Sequence, residues 1–223
     1  MIEQVFKVIN ERLDLCSFGG RIQKKYNHFD YDRIIGDKRD HFAIVYLTGN
    51  GFFISNILPY GVIFENVNNI LSKTGFHIES ETTVSNFPGY DVQNFESIFD
   101  LPEKNIEKPN GEIDYQTLQE VTETIFVYIQ SVLPFFDMVS SLQVVNDEII
   151  NKIPQMELSD YIPGEMHLKK LIIMKLCKNS GYYEYVKWLE GSFQKGIEMN
   201  RAIYEPEMLV YKKVFDFLES ENL

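Results

Sequence analysis

The sequence predicts an α+β protein: an N-terminal antiparallel sheet with one or two helices, followed by a C-terminal helical part of about five helices. Three observations lead there. Up to about Phe99 the apolar residues come in short aromatic bursts, whereas from about Tyr115 they recur at helical spacing. Between the two lies Asp100 to Asp114 (DLPEKNIEKPNGEID), polar, Pro/Asn/Gly-bearing and without an apolar period. An Asn-Gly pair between two strand-like runs favours antiparallel pairing over the rival, a small parallel α/β layer. The expected division is residues 1–99 as the sheet-bearing part, 100–114 as an acidic linker and 115–223 as a helical part. The helical part is packed on the first, or the whole forms one composite domain.

Each element has its own signal. Ile2, Val5, Phe6, Ile9 and Leu13 lie on one face of a first helix, which Gly19-Gly20 ends. Ile22, Tyr26, Phe29 and Tyr31 alternate loosely across 21–35, giving one or two strands. His41 to Thr48 (HFAIVYLT) is the strongest strand, and Gly49-Asn50-Gly51 turns it into a partner at 52–57. Phe64, Val67, Ile70 and Leu71 share a helical face, with Gly75 as its left-handed cap. Residues 77–84, rich in Thr and Ser, read as an edge-like strand, and 95–99 as another.

In the second part Leu118, Val121, Ile125, Tyr128 and Val132 define a helix capped by Asp114 and broken at Pro134. Ser141 caps the next, with Leu142, Val145 and Ile149. After a loop at 154–164 come three closely linked helices. Glu165 to Lys178 is apolar almost all round at Leu171–Met174 and should be central. Tyr182, Tyr185, Val186, Leu189 and Phe193 stripe the second; Pro206 opens the third.

Composition limits the function. The chain has 223 residues with 21 Lys+Arg against 33 Asp+Glu, a net charge of −12, which repels polyanions and so argues against nucleic acid. It attracts a basic protein partner. The longest apolar runs, Leu171–Met174 and Ile125–Ile129, are too short to cross a bilayer, and the charged, amphipathic N-terminus lacks a signal core. Cys16 and Cys177 belong to no CxxC pair, so no metal or redox role is expected, and a reducing cytoplasm is the expected compartment. No membrane partner, cofactor or oligomeric state is assigned.

The densest set of potential ligands is His28, Asp30, Asp32, Asp37, Asp40 and His41. A calcium loop would need an oxygen ligand where Ile34 stands, and zinc needs more nitrogen or sulfur than two histidines supply. A charged turn between strands accounts for the cluster equally well. Cys16 reads as a small buried hydrophobe and His167, near a helix start, as structural. Gly49-x-Gly51 lacks the rest of a dinucleotide fingerprint, and there is no G-x-S-x-G. From Glu96 to Glu123 eight acids face two lysines, half the excess charge of the chain. Glu103, Glu107, Glu112 and Asp114 are the residues expected to form a docking surface there.

Three stretches, RDHFAIVYLTGNGFFISNILPYGVIFENV, IFVYIQSVLPFFDMVSS and LKKLIIMKLCKNSGYYEYVKWLE, carry a resemblance. Together they resemble bacterial α+β domain-of-unknown-function families, some of them grouped with immunity proteins of toxin systems. The likeness spans most of the chain without a diagnostic motif. It implies a cytoplasmic, immunity-like binding protein without catalytic residues and with no family site to carry over; the charge excess and the empty motif search add the expectation of a non-enzymatic protein-binding module that neutralises a basic toxin. The alternative is an enzyme of unknown class whose site is assembled from His28, Asp30, Asp32 and His41.

Overall fold

The computed structural model describes residues 1–77, 80–90 and 105–220. The chain forms two compact units, each drawn from two stretches: Met1–Val62 with Gly89–Met138, and Ile63–Pro88 with Val139–Leu223. The architecture is α+β, with an N-terminal antiparallel sheet and a helical remainder.

In the first unit, α1 (Ile2–Leu13) buries Val5, Ile9 and Leu13 on the face its period marks. A four-stranded sheet follows in the order β1 (Gly19–Gln23), β2 (His28–Ile35), β3 (Lys38–Thr48), β4 (Phe52–Phe64). Register is set by the β2–β3 pairing, in which Tyr31 faces Phe42 and Asp32 faces His41. The loose alternation of 21–35 thus resolves into two strands. Gly36, at φ +65°, makes the tight turn into β3. At the Asn-Gly hairpin it is Gly49 and Gly51 that take positive φ. Phe29, Tyr31, Phe42, Ile44 and Tyr46 point to the buried face, where Phe6 of α1 meets Phe29 at 5.3 Å between ring centroids.

α3 (Tyr115–Met138) closes this unit, with its apolar stripe buried and α1 alongside. Asp114 caps it, accepting from the amides of Gln116 at 3.2 Å and Thr117 at 3.4 Å. Pro134 does not break the helix, contrary to expectation. Pro134 and Gln130, whose carbonyl loses a donor, are both exposed, so water can replace the missing bond, while buried Phe135 and Phe136 fix the last turn. At its C-terminus the Phe136 carbonyl accepts from the buried Lys38 ammonium, a cation where the helix dipole is negative.

The second unit begins with α2 (Glu65–Lys73), which ends on Gly75 at φ +76° as the sequence indicates. The strand expected at 77–84 is absent among its described residues, where only Val84 forms an isolated bridge. Its polar groups are committed elsewhere: Thr83 Oγ1 accepts from the Phe64 amide at 3.0 Å and the Glu81 carbonyl from Asn68 at 2.9 Å. Ser141 caps α4 (Leu142–Val144) as expected, accepting from the Val144 amide at 3.3 Å, and the helix runs on as a π-helical turn, Val145–Ile150.

α5 (Met166–Leu176) is central: Leu168 to Met174 are all buried. α6 (Tyr182–Ser220) is two helical limbs folded back at Asn200, whose φ −152° and ψ 87° are not helical. Pro206 therefore lies inside the second limb and does not open it. The limbs run antiparallel, as Phe193 against Tyr211 (5.5 Å) and Tyr183 against Glu219 (3.1 Å) show. Gly196 lets them close: a Cβ there would lie 2.6 Å from the Tyr204 ring.

Candidate functional site

Alternation along β2 puts His28, Asp30 and Asp32 on the face opposite the aromatic core, and cross-strand pairing adds Arg21 from β1 and His41 from β3. The cluster is therefore a feature of strands and not of a turn. Asp30 accepts from Arg21 at 2.9 Å and lies 3.0 Å from His28 Nε2. Asp32 lies 2.8 Å from His41 Nδ1, 3.4 Å from Arg21 and 3.5 Å from Arg39. Burial would raise the Asp32 carboxyl, but the hydrogen bond with His41 and the charges of His41, Arg39 and Arg21 hold it below its ordinary value. The four residues of the enzymatic alternative are thus on one face, each carboxylate already engaged by cations. No group of three or more His, Cys, Asp or Glu converges as a metal site among the described residues.

Around Glu107 the chain is anchored. Ile106 and Ile113 are buried; the Ile106 amide donates to the Phe52 carbonyl at 2.7 Å, and that of Lys108 to Glu112 at 2.8 Å across a tight turn. Glu112 is exposed, whereas Glu107 and Asp114 are half-buried. Asp114 is occupied as the helix cap, and hydrogen bonds from Thr117 and Gln116 lower its pKa. Glu103 lies outside the described residues. Between Gly89 and Met138 the sequence carries ten acids against two lysines, so this stretch accounts for −8 of the net −12.

A third place carries no sequence motif. In the second unit, the start of α5 and the two limbs of α6 enclose a groove of about 640 Å³, within the range of ligand and anchor pockets. Phe76, Trp188, Phe193 and Tyr204 supply aromatic walls, and Glu165 and Glu207 are the charged residues of the lining, which holds no lysine or arginine. His167 stands at its edge, with Nδ1 3.0 Å from the Tyr185 hydroxyl and its ring 5.9 Å from that of Trp188. Burial, and then the nearby Lys170, push the His167 pKa down, favouring the neutral ring. Trp188 also lines a smaller cavity with Lys170, whose ammonium donates to Gln155 at 2.7 Å and sits 4.5 Å over the Tyr185 ring.

Beneath the groove, Lys169 is fully buried. Its ammonium donates to the carbonyls of Ser80 (2.9 Å), Thr82 (2.8 Å) and Pro163 (2.7 Å), with a Glu165 oxygen at 3.7 Å. Three donors meet three acceptors, which fixes the loops before α5 and identifies Lys169 as structural.

No helix among the described residues is by itself long and apolar enough to cross a membrane. In comparisons with protein-family models, curated proteins and solved structures, nothing matches this chain.

Proposed function

We propose that the protein is a non-enzymatic binding module for a basic protein partner, acting in the cytoplasm in the manner of an immunity protein that neutralises a toxin. The observation that carries this reading is the charge asymmetry: 89–138 holds −8 of the net −12. Its anchored turn presents Glu112 to solvent. Such a field raises encounter rates with a cationic partner more than it strengthens the final complex. The engaged carboxylates of the sheet face support binding over catalysis, and the free thiols of Cys16 and Cys177 suit a reducing compartment.

The test is capture of a partner from lysate followed by stopped-flow association with wild type and the triple variant Glu107→Gln, Glu112→Gln, Asp114→Asn. Asparagine retains helix capping, so stability should hold. The captured protein should be basic. The variant should associate several-fold more slowly at low salt, the gap closing as the Debye length falls from about 10 Å at 0.1 M to about 3 Å at 1 M. An acidic partner, or equal on-rates at low salt, refutes the reading. The second reading, an enzyme, draws on the 2.8 Å Asp32–His41 pair, the arrangement that orients a general base. It requires a turnover that His41→Ala abolishes without unfolding.

A further inference from the structure

Trp188 is the single tryptophan of the chain, and 46 % of it is left exposed beside the groove of α5 and α6. Large apolar side chains concentrated at a concave, aromatic-walled surface mark a place that another apolar surface covers. Aromatic residues in such a setting are the usual energetic anchors of an interface. The charges of the lining select the occupant: it contains Glu165 and Glu207 and no lysine or arginine, while Lys187 and Lys195 line a different, shallower cavity beside Trp188. An acidic helix would meet like charge there; a cationic one would not.

We propose that this groove seats an amphipathic helix of the basic partner, with apolar side chains against Trp188, Phe193 and Tyr204 and lysines or arginines towards Glu207. The proposal rests on the reading of the chain as a module for a basic protein and names the surface that holds the complex once the acidic stretch has drawn the partner in. The helix-in-groove mode requires apolar anchors at i, i+3, i+4 and i+7 on the incoming segment. Glu165 is tied to the buried Lys169 and so shapes the floor, while Glu207 is exposed and faces the partner's charge.

Because the chain has one tryptophan, its emission reports on the surroundings of Trp188, and Glu207→Lys, which lines the groove but not the smaller cavities beside Trp188, assigns the shift to the groove. The probes are three synthetic 18-residue peptides: a Leu/Lys peptide with helical amphipathic spacing, its Leu/Glu counterpart, and a Leu/Lys peptide of the same composition with the spacing scrambled. The amphipathic Leu/Lys peptide should shift Trp188 emission to the blue and saturate, and the other two should not. Glu207→Lys and Ser192→Arg, both on the surface of α6, should each weaken the binding at least tenfold with helical content unchanged by circular dichroism. Overturning results are an unmoved Trp188, equal binding of the Leu/Glu or scrambled peptide, or a peptide-independent shift on concentrating the protein, which would make a second copy the occupant. The two proposals fail separately. Glu107→Gln with Glu112→Gln should leave the Trp188 shift at saturation unchanged, and a silent Trp188 leaves the salt dependence of association standing.

Discussion

Replacing Lys169 with methionine keeps much of the volume and removes the ammonium. Three carbonyls, those of Ser80, Thr82 and Pro163, then lose donors at 2.9, 2.8 and 2.7 Å, and Glu165 loses the cation 3.7 Å away. Orphaning one buried polar group costs roughly 1–3 kcal/mol, and breaking a buried ion pair from one side about 3–5 kcal/mol. These overlap, so we expect a loss of about 3–5 kcal/mol, a large share of the 5–15 kcal/mol typical of a folded domain. With a urea slope of about 2 kcal/mol/M, the midpoint should fall by roughly 2 M. The pH dependence is a second signature. Desolvation outweighs the attraction of Glu165 and pushes the Lys169 pKa down to about 8, against about 10.4 in the unfolded chain. Below pH 8 both states hold the proton, so there is no slope. Above it the folded state releases the proton first, so stability rises with pH until the unfolded chain follows. The gap between wild type and Lys169→Met should therefore widen between pH 8 and 10, by at most about 3 kcal/mol. A midpoint change under about 0.5 M, or a gap that narrows across that window, would refute the assignment of Lys169 as a charged structural clasp.

Two glycines of the first α6 limb should respond oppositely to alanine. Gly191 has nothing within 4 Å of a new Cβ, so Gly191→Ala should stabilise by about 0.5–1 kcal/mol through helix propensity. Gly196→Ala places a Cβ 2.6 Å from the Tyr204 ring and should destabilise by about 1–3 kcal/mol, loosening the hairpin; thermal melts of the two variants decide the matter. His167 supplies an acid-side test. Its folded pKa lies below the unfolded value, so as pH falls through about 6.5 the unfolded chain binds the proton first and stability drops. Denaturation midpoints from pH 7.5 to 5 should show this slope in wild type and lose it in His167→Gln.

How far the sequence carries depends on whether a signal is local. The first helix, the glycine-turned hairpin, the Asp114 and Ser141 caps and the buried run at Leu171–Met174 were legible, because each depends on residues within a turn or two of one another. Pro134 misleads because a proline rule says what a helix loses, and only the fold says that the loss faces water while Phe135 and Phe136 hold the next turn. The Thr/Ser-rich 77–84 stretch misleads for the opposite reason. Its carbonyls at Ser80 and Thr82 are held by a lysine 89 and 87 residues away, so composition suited to a strand is used in a clasped loop. A period of two places His28, Asp30 and Asp32 on one face, but His41 and the arginines that neutralise the carboxylates join them through pairing register.

The groove was out of reach in a different way. Its walls come from four separated stretches brought together by the fold-back at Asn200 and by a Gly196–Tyr204 contact that no periodicity announces. One clue was nevertheless present. The stripe Tyr182, Tyr185, Val186, Leu189 and Phe193 is complete without Trp188, which falls at its margin. There the indole stacks on Tyr185 at 5.6 Å between ring centroids yet stays 46 % exposed, and half-exposed indole is a costly surface in water. The position makes sense when something apolar covers it, which is what the fluorescence of Trp188 is placed to measure.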